Sequence, residues 1–187
     1  MYFPDTNTGC SLPDLPRNRI AHTQIGKLAC GGGTNGRGYA EYTKNCVEWN
    51  SGTGEWKESH TMTGEKRDNH AAWETKNGVY LIGGAGDSGK TSELVKPDGT
   101  VTEGFPLKTS INYACPIPDQ ENNEVILTAG LGRDGNNVQV YDESGWKRDM
   151  PSLNTGRAGH GCTSFIQNGK KVGHNFHRIL GSLSIIL

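Results

Sequence analysis

The sequence lacks an excess of either charge and any long apolar run. Its 19 basic and 20 acidic residues leave a net charge of −1, which argues against binding to nucleic-acid phosphates or to an anionic membrane surface. The longest apolar stretch, residues 179–187, has nine residues, whereas a helix that crosses a bilayer needs about 20. The composition therefore predicts neither a nucleic-acid partner nor membrane insertion.

The sequence also lacks a secretory leader and a cysteine pair with metal-ligand spacing. Its first residues have neither a basic region nor an apolar region of the signal-peptide type. A cytoplasmic location is therefore slightly favoured, and an extracellular one stays open if the natural N-terminus lies upstream. The five cysteines are an odd number without CxxC spacing, so they predict neither a zinc site nor a complete disulfide framework.

Glycine, in contrast, is abundant, and its distribution is periodic. The 27 glycines among 187 residues are about double the share, roughly 7%, of an average protein. Such an excess indicates sharp turns or close backbone approaches that a Cβ would block. A motif R-x-x-H occurs three times, and a fourth segment fits the same slot with tyrosine in place of histidine. The marker residues His22, His70, Tyr113 and His160 are 48, 43 and 47 residues apart. This period predicts repeated supersecondary units.

Each unit contains four segments that read as short strands. The second segment is apolar and ends in small residues, as in 28–32 (LACGG), 79–84 (VYLIGG) and 125–130 (VILTAG). The third alternates with period two, as in 46–50 (CVEWN), 92–96 (SELVK) and 138–142 (VQVYD). The fourth carries an aromatic residue: Trp56, Phe105 or Trp146. Four short strands in about 47 residues is the strand number and repeat length typical of a propeller blade.

This combination of motifs resembles the kelch repeat, the β-propeller module of kelch-like proteins and of the galactose oxidase central domain. The third unit departs from the pattern, because Ala129 and Gly130 replace the glycine pair. The resemblance covers residues 1 to about 172 and implies an all-β, partial propeller of about three whole blades and two half blades. The implied repeats are a half repeat at about 1–15, whole repeats at 16–64, 65–107 and 108–155, and a partial repeat at 156–172. Residues 173–187 are expected to form an irregular C-terminal tail.

A kelch resemblance implies a non-catalytic protein-interaction scaffold without a cofactor. The loops after the glycine pairs should open on one face of the disk, where a rigid scaffold presents its binding residues. The candidate partner-binding residues in these loops are Arg37, Tyr39, Tyr42, Lys90, Arg133 and Asp134. A protein partner of unknown identity is therefore expected, together with self-association through uncovered blade faces.

Two catalytic alternatives stay open. The first is a fragment of a galactose-oxidase-like enzyme whose catalytic residues lie outside this chain. The second is a P-loop nucleotide binder, because residues 84–91 (GAGDSGKT) match that motif. The motif needs a following helix to hold phosphate, yet a turn signal begins at Pro97, which makes this alternative the weaker one.

The histidines and cysteines have structural interpretations. A catalytic residue is needed once, so histidines that recur in successive units are expected to make hydrogen bonds between blades. Cys115 and Cys162 share one repeat position, equivalent to that of Ala72, and are interpreted as core residues. Cys30 and Cys46 border successive strands of one blade, and a disulfide between them stays open.

Overall fold

Strands account for the regular structure of the chain. The computed structural model describes residues 2–3, 8–9, 13–16, 19–33, 42–64, 66–85, 89–128, 130, 135–167, 170–176 and 182–186. Within these ranges there are seventeen strands and no α-helix. Consequently, no described segment is a helix long and apolar enough to cross a membrane. The all-β expectation is confirmed.

The strands form antiparallel sheets in strict chain order. They are β1 Tyr2–Phe3, β2 Thr8–Gly9, β3 Thr23–Ile25, β4 Leu28–Cys30, β5 Asn45–Asn50, β6 Glu55–Thr61, β7 Ala71–Thr75, β8 Gly78–Ile82, β9 Ser92–Val95, β10 Val101–Glu103, β11 Cys115–Asp119, β12 Glu124–Thr128, β13 Val138–Asp142, β14 Gly145–Met150, β15 Gly161–Gln167, β16 Lys170–Phe176 and β17 Ser182–Ile186. β1 pairs with β2; the first, second and third sheets are β3–β6, β7–β10 and β11–β14, and the fourth is β15–β17.

Each predicted whole repeat contains one four-stranded sheet. Between sheets, the first strands make the contacts: β3 with β7, β7 with β11, and β11 with β15. This series of sheets fits a propeller-like or sandwich-like arrangement. The C-terminal part differs from the expectation, because β16 and β17 are paired strands. The irregular tail predicted for residues 173–187 is therefore wrong for 173–176 and 182–186, which form a local antiparallel strand pair without a repeat motif.

The hydrophobic core lies between sheets, because each strand sends alternate side chains to opposite faces. In the second sheet, Leu81 and Val95 pack with residues of the first sheet. Tyr80 and Ile82 pack with residues of the third sheet. A separate cluster between the third and fourth sheets contains Ile117 and other buried side chains. Each inner sheet is thus buried on both faces and depends on its neighbours for stability.

A row of aromatic rings connects the second and third sheets. Trp73 stacks on Tyr80 with ring centroids 5.4 Å apart, and Tyr80 lies 5.1 Å from Phe105. Phe105 stacks in turn on Tyr141 at 5.4 Å. Each such pair contributes about 0.5–1.5 kcal/mol beyond the area that it buries. Phe105 lies after β10, and the position of Trp56 and Trp146 is occupied in the second sheet by Val101, the register partner of Val95.

Backbone hydrogen bonds explain the glycine pairs. After each second strand, a glycine N–H donates to the carbonyl of the segment that leads into the next sheet. These bonds are Gly32 to Arg67 (2.8 Å), Gly84 to Ile111 (2.8 Å) and Gly130 to Arg157 (3.0 Å). A Cβ on Gly31 would lie 2.3 Å from the Arg67 carbonyl oxygen. Because real Cβ atoms do not approach so closely, glycine is required here.

A second set of backbone bonds links the lead segments, which are residues 19–22, 67–70, 111–114 and 157–160. The Asn69 N–H donates to Ala21 O (2.8 Å), Tyr113 N–H to Asn69 O (3.0 Å), and Gly159 N–H to Tyr113 O (3.0 Å). All four residues have positive φ, between 51° and 61°. Tyr113 therefore corresponds to Asn69, and Ala114 takes the histidine position. Placing Tyr113 in the histidine slot is wrong by one residue, because Ile111 replaces the arginine that marks the other units.

Two disulfides link strands. Cys30 and Cys46 are register partners on β4 and β5, so the bridge left open by the sequence is formed. Cys115 and Cys162 join β11 to β15, the contacting first strands of the third and fourth sheets. Their interpretation as equivalent core residues is wrong, because the one-residue shift aligns Cys115 with Ala71 rather than with Ala72. The fifth cysteine, Cys10, lies outside the described residues.

A buried ion pair holds the segment between the first and second sheets. Glu93 on β9 accepts hydrogen bonds from Arg67 Nε (3.0 Å), Thr63 Oγ1 (2.9 Å) and the Gly64 N–H (2.6 Å). Burial opposes ionisation of Glu93, but these hydrogen bonds outweigh it and lower the pKa of its carboxyl group. In the third sheet, Ile111 and Gln139 occupy the two corresponding positions and leave no charge to balance.

We expect Glu93→Gln to lower the free energy of unfolding by about 3–5 kcal/mol, because it leaves the buried Arg67 guanidinium without its counter-charge. The double variant Arg67→Ile, Glu93→Gln reproduces the residues of the third sheet and should lose less than Glu93→Gln alone. Urea unfolding of both single variants and of the double variant measures this coupling. Additive losses would contradict it.

We also expect the bridge between sheets to stabilise more than the bridge within a sheet. Cys115→Ala with Cys162→Ala opens a separation of 47 residues, which corresponds to about 4 kcal/mol on chain entropy. Cys30→Ala with Cys46→Ala opens a separation of 16 residues, or about 3 kcal/mol. Urea unfolding compares the two pairs. Alkylation of more than one of the five cysteines in the denatured, unreduced protein would show that at least one bridge is absent.

Candidate interaction face

One end of the sheets carries both the lead segments and the loops that follow the glycine pairs. Gly33 forms isolated β-bridges to Ile20 in the first lead segment and to Tyr42 at the end of its loop. The Ala85 N–H, just after the second glycine pair, donates to Asp68 O at 3.1 Å. We call the surface formed by Ile20, Tyr42, Asp68, Asn69 and Tyr113 the loop face.

Large apolar side chains are exposed on the loop face. Ile20 is 51% exposed, Tyr42 41% and Tyr113 37%. The other large apolar side chain exposed among the described residues is Trp146, 44% exposed on β14. Trp146 lies under a salt-bridged cation, since Lys108 Nζ is 4.3 Å from its ring and 2.6 Å from Asp149. The loop face is therefore where aromatic and aliphatic side chains gather without such a cover.

A buried carboxylate lies among these exposed side chains. Asp68 is only 4% exposed, and its Oδ2 accepts a hydrogen bond from Asn69 Nδ2 at 2.7 Å. Burial raises the pKa of Asp68, against hydrogen bonds from the Ala85 N–H, Asn69 and Tyr42 that lower it. The negative charge of Asp68 is the main reason that the pKa of Tyr42 is raised. The exposed Tyr42 side chain thus places its hydroxyl against a buried carboxylate.

The arginine side chains near Asp68 form hydrogen bonds with other groups. Arg67 is adjacent to Asp68 in sequence, but its guanidinium bonds Glu93 and the Gly83 carbonyl. Arg19 Nη1 donates to the carbonyls of Gly31 and Asn45, each at 2.8 Å. Within the described residues, Asp68 has no cationic partner. This is unusual for a buried carboxylate, because buried charges are normally paired.

The recurring histidines lie in the interior below the loop face. His70 is buried, and neither ring nitrogen has a hydrogen-bond partner among the described residues. Burial, assisted by the charges of Arg67 and His22, lowers the pKa of His70 from 6.5 to about 3. His160 Nε2, in contrast, is 2.9 Å from Thr128 Oγ1 on the preceding sheet. The expected hydrogen bond between units is therefore found for His160 and not for the His70 ring.

The predicted loop residues are only partly within the described chain. Tyr42 belongs to the loop face, and Lys90 is exposed in the loop before β9. The remaining candidates, Arg37, Tyr39, Arg133 and Asp134, lie outside the described residues. Sequence reasoning missed Ile20 and Asp68, and it treated Tyr113 only as a repeat marker. Ile20 and Asp68 stand at one variable position of the repeated R-x-x-H motif, and Tyr113 stands at the next, so variation within an otherwise repeated motif was the available signal.

The P-loop-like segment lacks the structure that its motif requires. Thr91 is followed at once by strand β9, and the only helical feature beside it is the short turn at Gly89 and Lys90. Within the described residues there is thus no helix N-terminus to direct N–H groups at a phosphate. Residues 86–88 lie outside the described chain.

Comparison with known proteins supports the fold alone. Neither a protein-family model nor a curated protein matches this sequence. A solved structure described as "Structure of YjhT" superposes with a TM-score of 0.75. The match covers 99% of this chain and 71% of that chain, at 13% sequence identity. This similarity agrees with the all-β series of sheets and carries no inference about activity.

We expect His70 to make the stability depend on pH. Its pKa lies at about 3 in the folded chain and near 6.5 when unfolded, so the unfolded state binds the proton first as the pH falls. Stability should therefore decrease below pH 6.5, with a slope of up to about 1.4 kcal/mol per pH unit from this residue.

The variant His70→Ala tests this, because Ala114 occupies the same position in the third sheet. It lowers stability through lost packing, but it should also flatten the dependence between about pH 5 and 6.5. Denaturant unfolding at several pH values compares the slopes. Equal slopes for the two proteins would show that His70 accepts a proton in the folded state.

Proposed function

We propose that this chain is part of a kelch-type β-propeller and serves as a non-catalytic protein-interaction scaffold. The consecutive antiparallel sheets, the contacts between their first strands and the glycine pairs support the kelch assignment. Its interaction surface is the loop face. Self-association through uncovered faces of the terminal sheets is the second mode of interaction that this architecture favours.

One observation carries the interaction function: Tyr42 and Tyr113 are exposed together with Ile20 on the loop face. Tyrosine is enriched at protein interfaces, because its ring buries a large apolar area while its hydroxyl still finds a polar partner. The lead segments beneath these side chains are linked by backbone hydrogen bonds from Ala21 to Gly159. The side chains are thus presented on a rigid base, which lowers the entropy cost of binding.

The catalytic alternatives receive no comparable support from the described residues. The galactose-oxidase-like alternative places its catalytic residues outside this chain, and no described residue adds support to it. No three His, Cys, Asp or Glu side chains of the described ranges are grouped so that they could hold a metal ion. The P-loop-like segment runs into a strand. No second function is therefore proposed.

We expect the double variant Tyr42→Ala, Tyr113→Ala to weaken partner binding at least about tenfold, the size of effect typical of interface hot spots. Cross-linking and mass spectrometry of captured complexes identifies the partner, and titration then measures its affinity for each variant. Both side chains are exposed, so the melting temperature should change little.

The matched control is Trp146→Ala, which removes an exposed aromatic side chain from the outer strand β14 of the third sheet. This variant should bind the partner normally. If Trp146→Ala loses binding and the double tyrosine variant keeps it, the loop face is not the interaction surface.

A further inference from the structure

We propose that Asp68, Asn112, Tyr42 and Tyr113 form a receptor site on the loop face for one guanidinium group, an arginine side chain of the partner protein. This proposal rests on the interaction function above and gives that surface a chemical specificity. It is carried by a buried carboxylate without a cationic partner among the described residues, by a buried amide oxygen without a donor, and by two exposed aromatic rings.

The first acceptor is the Asp68 carboxylate. It is almost fully buried, and its donors are all neutral: Asn69 Nδ2 at 2.7 Å, the backbone N–H groups of Ala85 and of Asp68 itself, and the Tyr42 hydroxyl. None of these donors carries a charge, so the described residues supply no counter-charge to this carboxylate. Since an unpaired buried charge is costly, a cation that reaches Asp68 recovers part of that cost.

The second acceptor is the side-chain oxygen of Asn112. This oxygen is buried and has no hydrogen-bond partner among the described residues. Asn112 occupies the position in the third lead segment that Asp68 occupies in the second, because Tyr113 corresponds to Asn69. Buried acceptors without donors are rare in native proteins. Two successive lead segments thus offer side-chain oxygen atoms at the same repeat position, one a carboxylate without a counter-charge and the other an amide oxygen without a donor.

The aromatic rings favour a flat organic cation over a metal ion. Tyr42 and Tyr113 are exposed and lie close enough for their hydroxyl groups to interact electrostatically. A guanidinium stacks on such rings and presents five N–H donors in a plane, which suits separate acceptors better than a compact ammonium does. The described residues also contain no group of three His, Cys, Asp or Glu side chains that could hold a metal ion.

The positive charges around the site do not fill it. Arg67 is held by Glu93, and Arg19 by two carbonyl oxygens. Lys90 is exposed in a loop, and no ion pair joins it to Asp68. His22 is half-buried beside Arg19, and burial lowers its pKa, so it is neutral near pH 7. The carboxylate therefore faces the loop side without a counter-charge from the described chain.

The test uses the full chain and the probe peptide acetyl-Gly-Arg-Gly-amide, titrated by two-dimensional NMR. Two matched probes replace the arginine by citrulline, its neutral near-isostere, or by lysine. We expect saturable binding of the arginine peptide with shifts at Asp68, Asn69 and Tyr113. The citrulline peptide should bind at least about tenfold more weakly, and the lysine peptide should lie between them.

The protein variants separate charge from shape. Asp68→Asn keeps the size of the side chain and should weaken the arginine peptide about tenfold or more, as loss of one partner of a buried charge pair does. Tyr113→Phe keeps the ring and should retain binding, whereas Tyr113→Ala should lose it. Each titration is repeated with Arg37→Ala, so that a guanidinium from this loop of the same chain cannot mask the site.

Equal binding of the arginine and citrulline peptides would overturn the proposal. So would failure of the arginine peptide to bind both the unaltered protein and Arg37→Ala. This comparison needs no variant at Asp68 and so does not depend on the folding of Asp68→Asn. If the natural partner is lost in Tyr42→Ala, Tyr113→Ala but the arginine peptide does not bind, the scaffold function stands and the guanidinium site is wrong. If the arginine peptide binds in an Asp68-dependent way but Tyr42→Ala, Tyr113→Ala keeps the natural partner, the guanidinium site stands and the loop face is wrong as the partner's binding surface.

Discussion

Because both faces of each inner sheet are buried, the segment that leads into the next sheet must run close against the end of the previous one. The N–H groups of Gly32, Gly84 and Gly130 make this approach through hydrogen bonds of 2.8–3.0 Å to the following lead segment. The approach leaves no room for a Cβ on Gly31 or Gly83. The glycine content, the repeat length and the end at which the loops open all depend on these few backbone contacts.

The side chains around these contacts vary in pairs rather than singly. The second sheet holds its lead segment with the Arg67–Glu93 ion pair, and the third has Ile111 and Gln139 in the same two positions. A buried ion pair and a well-packed neutral pair have similar net stability, because desolvation offsets the Coulomb attraction. Removing one charge alone leaves the other uncompensated. A repeat can therefore exchange both members of the pair, and the backbone frame stays the same.

How far the sequence predicts this structure depends on which of its parts repeat. The strands follow from apolar runs and glycine pairs because every unit needs them. The alignment of the third unit fails by one residue, since Ile111 removes the arginine landmark and Tyr113 looks like a substituted histidine. That single error hides the Cys115–Cys162 disulfide, which joins neighbouring rather than equivalent positions. Asp68 and Asn112 were not predictable as a pair for the same reason.

The two ends of the sheets differ in how well the negative charge of a carboxylate is stabilised, and this difference bears on where the chain can bind a cation. At the end of the sheets opposite the loop face, Glu143 accepts hydrogen bonds from Asn77 (2.6 Å), Asn123 (2.8 Å) and Tyr80 (3.4 Å). The bonds from Asn77 and Tyr80 link the second sheet to the third. These donors lower the pKa of Glu143 despite its partial burial and leave its carboxylate well occupied.

At the loop end, the carboxylate of Asp68 is more deeply buried, and burial outweighs its neutral donors, so that its pKa is raised. The Glu143 carboxylate is stabilised by the positive charge of Lys76 as well as by its donors. Asp68 has no cationic partner within the described residues. The free energy available for recognising a cation is therefore greater at the loop end, where Tyr42 and Tyr113 also expose their rings.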